Sequence, residues 1–157
     1  MVYAVCKAAQ QEQICAYGFT PIEKAPPGKV LWGSAVSGGS LWGHLRDGIA
    51  LHGREKLVLY LEKTAMVFPL PCPCGVGKNI TEYELSHWKQ GKNVFFSPEL
   101  GAKYFICGQG TQLRFVLFDD ADTFSYKLRL AKQMELHDAL FFWDEWCTVF
   151  KKTPDPK

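Results

Sequence analysis

The sequence has no long apolar run. Nothing in it approaches the roughly 18 apolar residues that a membrane-crossing helix needs. Met1 to Val5 lead directly into the Gln/Glu-rich "AAQQEQ", with no basic region followed by an apolar core, so no secretion signal is read and a cytoplasmic location is the expectation. An excess of one charge is also missing: 18 Lys+Arg face 16 Asp+Glu, for a formal net charge of +2. That balance does not indicate nucleic acid or a membrane surface as a partner. Matched cysteine pairs are absent too. Cys72 and Cys74 are separated by one residue, whereas structural zinc uses pairs spaced by two to four residues in matched sets, so with His87 they make a poor seed and no metal is expected. Without a secretion signal the six cysteines read as reduced, and Cys6, Cys15, Cys107 and Cys147 sit in apolar runs as small hydrophobes. The four histidines, His44, His52, His87 and His137, fall in no Ser/His/Asp or Cys/His signature. "GSAVSGGS" is Gly/Ser-rich at a strand-to-helix step, where backbone N–H groups can cradle a phosphate. It lacks the Lys-Ser/Thr of a P-loop and the GxGxxG of a dinucleotide fold.

What is present is a packed globule. The 157 residues are most simply one domain, and 47% hydrophobic with 14% aromatic content excludes a disordered chain. Val2 to Val5 read as a strand and "AAQQEQICAYG" as a helix capped by Gly18. "VLW" is a short strand, "SGGS" starts a helix from Leu41 to His52, and "EKLVLYLEKTAMVF" is the clearest strand signal. After the Pro/Gly loop "PLPCPCGVGKN", a helical turn in "TEYELSHWKQGKN" precedes "VFF". "AKYFICGQGTQLRFVLF" reads as two strands interrupted at Gly108 to Gly110. The spacing of Leu136, Leu140, Trp143, Cys147 and Phe150 predicts one long helix over "SYKLRLAKQMELHDALFFWDEWCTVFKK". "DDAD" (Asp119, Asp120, Asp122) ends the strand before it and helps cap that helix. The fold class is therefore α+β with a mixed or antiparallel sheet.

Three segments resemble the catalytic domain of the ADP-ribosyltransferases, in the poly-ADP-ribose-polymerase-like branch. "YAVCKAAQQEQICAYGF" is similar to the opening strand and helix ending in Gly-Phe. "GKVLWGSA" lies at the place of the family's Gly-Lys-Gly-x-Tyr-Phe-Ala segment, and "AKYFICGQGTQLRFVLF" fits the closing strands. The resemblance covers about residues 2 to 118, and the small fish interferon-inducible members are nearest in size. It implies a split sheet with flanking helices, a core over residues 1–122 and an added C-terminal helix over 123–151; the polar, Pro-rich "KKTPDPK" is expected to fray, as a flexible tail at 152–157.

The same resemblance implies NAD as cofactor, held by Tyr3, Ala4, Lys7, Gly28, Trp32, Gly33 and Ser34, with Glu99 and Lys103 at the catalytic positions. The family's NAD-holding His falls on Ala4, its stacking Tyr on Trp32 and its Glu on Lys103. A lysine cannot accept the ribose hydrogen bond. The implied protein is a degenerate transferase-like module that binds a protein partner, and NAD or ADP-ribose, in antiviral innate immunity. The alternatives are an active mono-ADP-ribosyltransferase with a rebuilt site and an unrelated α+β interaction domain. The C-terminal helix, apolar over much of its circumference, packs on the core or forms a homodimer.

Overall fold

The computed structural model describes residues 2–5, as backbone, and residues 28–150. The helix expected over "AAQQEQICAYG", the site residue Lys7 and the tail at 152–157 lie outside the described residues. The described chain is mixed α+β and contains two sheets.

The first sheet is parallel throughout. Its strands are β1 (Val2–Val5), β2 (Val30–Gly33), β3 (Leu57–Tyr60) and β9 (Asp138–Phe142), in the order β1-β9-β3-β2. Helix α1 (Leu41–His52) links β2 to β3, with the Ser40 side chain accepting from Gly43 N–H at its start. It ends where Gly53 takes a positive φ of 80° and donates to the Ile49 carbonyl, a conformation that costs glycine least. A parallel sheet is covered on both faces, so its strands read as continuous apolar runs. In "LVLYL", Leu57, Leu59 and Leu61 pack toward the helices with Leu41, Leu45, Ala139, Phe141 and Trp146. Val58, with Tyr60 against it, joins Leu31, Leu140 and Phe142 in the other cluster.

The second sheet is antiparallel. Strands β4 (Ala65–Pro69), β5 (Lys78–Asn79), β6 (Phe95–Ser97), β7 (Ala102–Cys107) and β8 (Arg114–Phe118) run in the order β5-β4-β8-β7-β6. Helix α2 (Glu82–Lys89), opened by a Thr81/Glu84 capping box, sets Leu85 into the cluster of Phe105, Val116 and Phe118. The chain leaves the parallel sheet after β3, builds all five antiparallel strands, and returns through α3 (Ala121–Gln133) to β9, which lies beside β3. The antiparallel sheet is thus an insertion at the carboxyl end of β3. Thr64 and Asp119 clamp its two stems. Thr64 N–H donates to Asp119 Oδ2 at 2.9 Å, and Asp119 N–H donates to the Thr64 carbonyl at 2.8 Å.

Two segments differ from their sequence reading. "EKLVLYLEKTAMVF" is not one strand: β3 and β4 belong to different sheets, parted by Leu61 to Thr64. The C-terminal stretch is not one helix either, but α3, β9 and α4 (Trp143–Phe150). Glu135, at a positive φ of 60°, ends α3, and Leu136 N–H reaches back to the Ala131 carbonyl at 2.9 Å in a helix-terminating turn. "DALFF" then enters the sheet between β1 and β3 and is buried at all five positions. The helical spacing of Leu136, Leu140 and Trp143 coexists with an unbroken apolar run, and a run buried on both faces satisfies a parallel strand equally well.

Candidate active site

In parallel sheets, ligands gather where the strands end at their carboxyl termini, because the loops that leave the strands converge there. In this chain that rim collects Ser34 after β2, Tyr60 and Glu62 at the end of β3, and Trp143 and Glu145 after β9. Each is placed by packing below it. Trp146 is fully buried, donates its indole N–H to the Leu61 carbonyl at 2.9 Å, and meets Phe124 edge-on at 4.7 Å. That anchor ties the first turn of α4 to the end of β3 and holds Glu145 over Tyr60, whose hydroxyl donates to Glu145 Oε2 at a long 3.5 Å. Glu62 accepts from Ala35 N–H at 3.3 Å and lies against Gly33, where a Cβ would come within 2.3 Å of its Oε2. A side chain at Gly33 would have to push the Glu62 carboxylate aside.

The electrostatics of the rim oppose full ionisation. Burial, then the charges of Glu145 and Glu62, push the Tyr60 phenol far above its ordinary range. Burial also raises the Glu62 carboxyl, with Glu145 adding in the same direction. The Ala35 amide, Lys127 and His44 pull it back only in part. Beneath the rim, Lys127 and Asp119 form a buried ion pair at 2.8 Å, with side chains 1% and 0% exposed. Asp119 Oδ1 and the Ser34 hydroxyl are buried and have no hydrogen-bond partner among the described residues. A small cavity of about 60 Å³ lined by Ala35, Val36, Ser37, Thr64, Met66 and Leu117 opens between this rim and the inserted sheet. Trp143, 37% exposed, adds an aromatic surface.

A second hollow of about 250 Å³ lies between α2, the start of α3 and α4, floored by Phe118. Its acidic walls are already paired: Lys103 binds Asp120 at 2.6 Å and Asp122 at 2.5 Å, and Lys63 binds Glu82.

The residues expected to hold NAD are dispersed. Ala4 on β1 and Trp32 on β2 occupy opposite edges of the parallel sheet with two strands between them, about 14 Å at ordinary strand spacing. Tyr3 shares β1, and Gly28 precedes β2 at its opposite end from the rim. Trp32 faces α1, stacked on His44 at 5.0 Å and donating its N–H to the His44 carbonyl at 3.0 Å. Lys103 is on β7 of the other sheet, tied to the start of α3, and the Glu99 carbonyl accepts from Leu41 N–H at 2.7 Å. Of the described members of the expected set, Gly33 and Ser34 stand at the rim. Tyr60, Glu62, Trp143 and Glu145 were missed. Their signal was polar or aromatic residues directly after the two apolar runs, "LVLYLE" and "ALFFWDE".

No family model matches the sequence, and no curated protein matches it. Solved structures do. The chain is similar to a chitinase from Chromobacterium violaceum, with a TM-score of 0.58 and 11% identity over 99% of this chain and 56% of that one. It is also similar to the spore cortex-lytic enzyme SleL of Bacillus megaterium, with a TM-score of 0.54 and 17% identity over 74% of this chain and 30% of that one. At these identities the likeness establishes the fold alone, and the chain spans less than two thirds of either enzyme.

The fold is chitinase-like. This overturns the ADP-ribosyltransferase resemblance and the NAD-linked and antiviral roles that came with it. The physical reason lies in the topology. The opening strand β1 pairs with β9, which lies beyond the segment the resemblance covered, while "AKYFICGQGTQLRFVLF" forms the β7–β8 hairpin of the other sheet. Short motifs matched in composition, and the strand pairing differs.

Proposed function

We propose that this chain is a glycan-binding unit of the chitinase-like kind, gripping β-1,4-linked N-acetylglucosamine polymers at the rim formed by Ser34, Tyr60, Glu62, Trp143 and Glu145. The observation that carries this reading is the combination at one sheet end of an exposed aromatic ring with hydroxyl and carboxyl groups. Saccharides present the complement: C–H faces that stack on aromatics and hydroxyls that donate to carboxylates. The fold likeness to a chitinase supports the choice of glycan.

A hydrolytic role is the second reading, favoured by Glu62. A carboxyl raised by burial beside a second carboxylate has the electrostatic character of a general acid in glycoside hydrolysis.

Isothermal titration with N-acetylglucosamine oligomers tests the first reading. Binding should weaken about tenfold or more in Trp143→Ala, the loss expected for one stacked ring, with an unchanged circular dichroism spectrum. Absence of binding at millimolar oligomer, or equal binding by the variant, rejects it. Release of reducing ends that is abolished in Glu62→Gln supports the second reading.

A further inference from the structure

The triplet Asn79-Ile80-Thr81 lies where the edge strand β5 runs into helix α2. The chain has two asparagines, and the other, Asn93, is followed by Val-Phe, so this is its one Asn-x-Ser/Thr sequence. That spacing is the acceptor pattern for N-linked glycans. In extended backbone residues i and i+2 share a side, which sets a hydroxyl beside the amide that is modified.

The local structure suits such a site. Asn79 is in strand conformation, and Thr81 is extended at φ −77° and ψ 160°. Ile80 between them is held down: its N–H donates to the Ala65 carbonyl at 2.9 Å, and its side chain packs on the cluster of Leu85, Phe105 and Val116. Asn79 and Thr81 are both exposed. Among the described residues β5 pairs only with β4, at the outer edge of its sheet, so a bulky group on Asn79 meets solvent. Capping accounts for part of the triplet only. Thr81 Oγ1 accepts from Glu84 N–H at 3.2 Å and donates to Glu84 Oε2 at 2.9 Å, which opens α2. Nothing in that box requires Asn79. Asparagine is depleted in strands, and this one makes no side-chain hydrogen bond among the described residues to explain its place.

We propose that Asn79 is the acceptor of an N-linked glycan, supplied by an oligosaccharide carried on a polyprenyl diphosphate. A bond forms between the sugar C1 and Asn79 Nδ2 as the bond from C1 to the diphosphate breaks. The lipid diphosphate leaves with the electron pair, and Nδ2 gives up one proton. The Thr81 hydroxyl is committed to Glu84 in the folded chain, so transfer precedes closure of α2, and the fold then leaves the modified amide outside. There the glycan covers the free side of a two-residue edge strand, adding bulk and solubility where the sheet would otherwise offer pairing groups. A chain so modified has passed through the secretory lumen, a route that the expected cytoplasmic location does not include. The site belongs to the inserted sheet and is independent of which ligand the rim takes.

Intact mass and peptide mapping test this on the full chain, made in eukaryotic cells behind a cleavable secretion leader and compared before and after peptide-N-glycosidase. The expected result is a mass above that of the polypeptide, removed by the glycosidase with an aspartate left at position 79. Asn79→Gln should abolish the added mass. Thr81→Asp removes the hydroxyl the transferase reads but keeps an N-cap at least as good as threonine, so it should also abolish the added mass, with an unchanged circular dichroism spectrum. Thr81→Ser keeps both hydroxyl and cap and should retain the glycan. The mass is read on membrane-enclosed and secreted chain together, so a variant that folds poorly still answers. A chain of bare polypeptide mass overturns the proposal. So does added mass that survives Asn79→Gln or Thr81→Asp.

Discussion

Gly48 lies in the middle of α1, one turn from His44 and one turn from His52, and the Trp32 indole is laid across it. A Cβ at this position would sit 2.7 Å from Trp32 Cε2 and 2.9 Å from both Cδ2 and Nε1, where carbon contacts are comfortable at about 3.5–4.0 Å. The ring must therefore retreat by the better part of an ångström. It has little freedom to do so: its N–H is bonded to the His44 carbonyl at 3.0 Å, His44 stacks on one side, and His52 meets it edge-on at 5.5 Å. Gly48→Ala gains about 1 kcal/mol of helix propensity. Against this stand overpacking, about 1–3 kcal/mol, and a stretched hydrogen bond of about 1 kcal/mol. The balance is a loss of about 1–3 kcal/mol, or roughly 2–12 °C in melting temperature for a chain of this size. Urea denaturation followed by circular dichroism measures it. In a Trp32→Leu background the clash is gone, and Gly48→Ala should become stabilising by about 1 kcal/mol. A neutral or stabilising Gly48→Ala in the unaltered chain, or the same effect in both backgrounds, refutes the packing argument.

Lys127→Met strands Asp119 in the core and should cost about 3–5 kcal/mol in urea denaturation, with Asp119→Asn added to it recovering part of the loss. Glu62 has a folded pKa raised above its unfolded value, so the folded state holds the proton more tightly. The stability this contributes is present at low pH and falls as pH rises from the unfolded carboxylate range through the raised value. Glu62→Gln should remove that decline, leaving the variant relatively more stable at neutral pH than at acid pH in parallel melts. Asp122 behaves oppositely: its hydrogen bond and charge pairing with Lys103 depress its pKa, giving stability above the unfolded value that is lost as pH falls. Lys103→Met should shrink that acid-side loss in the same measurement, modestly, because Asp122 is largely exposed to solvent.

Local chemistry made several features readable from sequence. Ser40 and Gly53 bracket the helix expected from Leu41 to His52, and the structure has that helix with those caps. The Gly108 to Gly110 interruption separates β7 from β8, and an added Cβ at Gly108, which has a positive φ, would meet the Gln112 carbonyl at 2.1 Å. The DDAD cluster caps α3, with Asp120 accepting from Asp122 and Thr123. The rim was harder to read. Tyr60 and Glu145 lie 85 residues apart in sequence and meet only because β9 slots in beside β3.

By itself, then, the sequence determined the α+β class, the capped helix α1 and the β7–β8 turn, because caps, glycine turns and apolar periodicity act over a few neighbouring residues. The tertiary structure alone decided that "LVLYL" and "AMVFP" serve different sheets, and that "DALFF" is a central strand instead of a helix. An apolar run buried on both faces has no period of its own, so its partners, 80 residues away, choose its conformation. The same long-range pairing sets the aromatic and acidic ends of those runs around one rim.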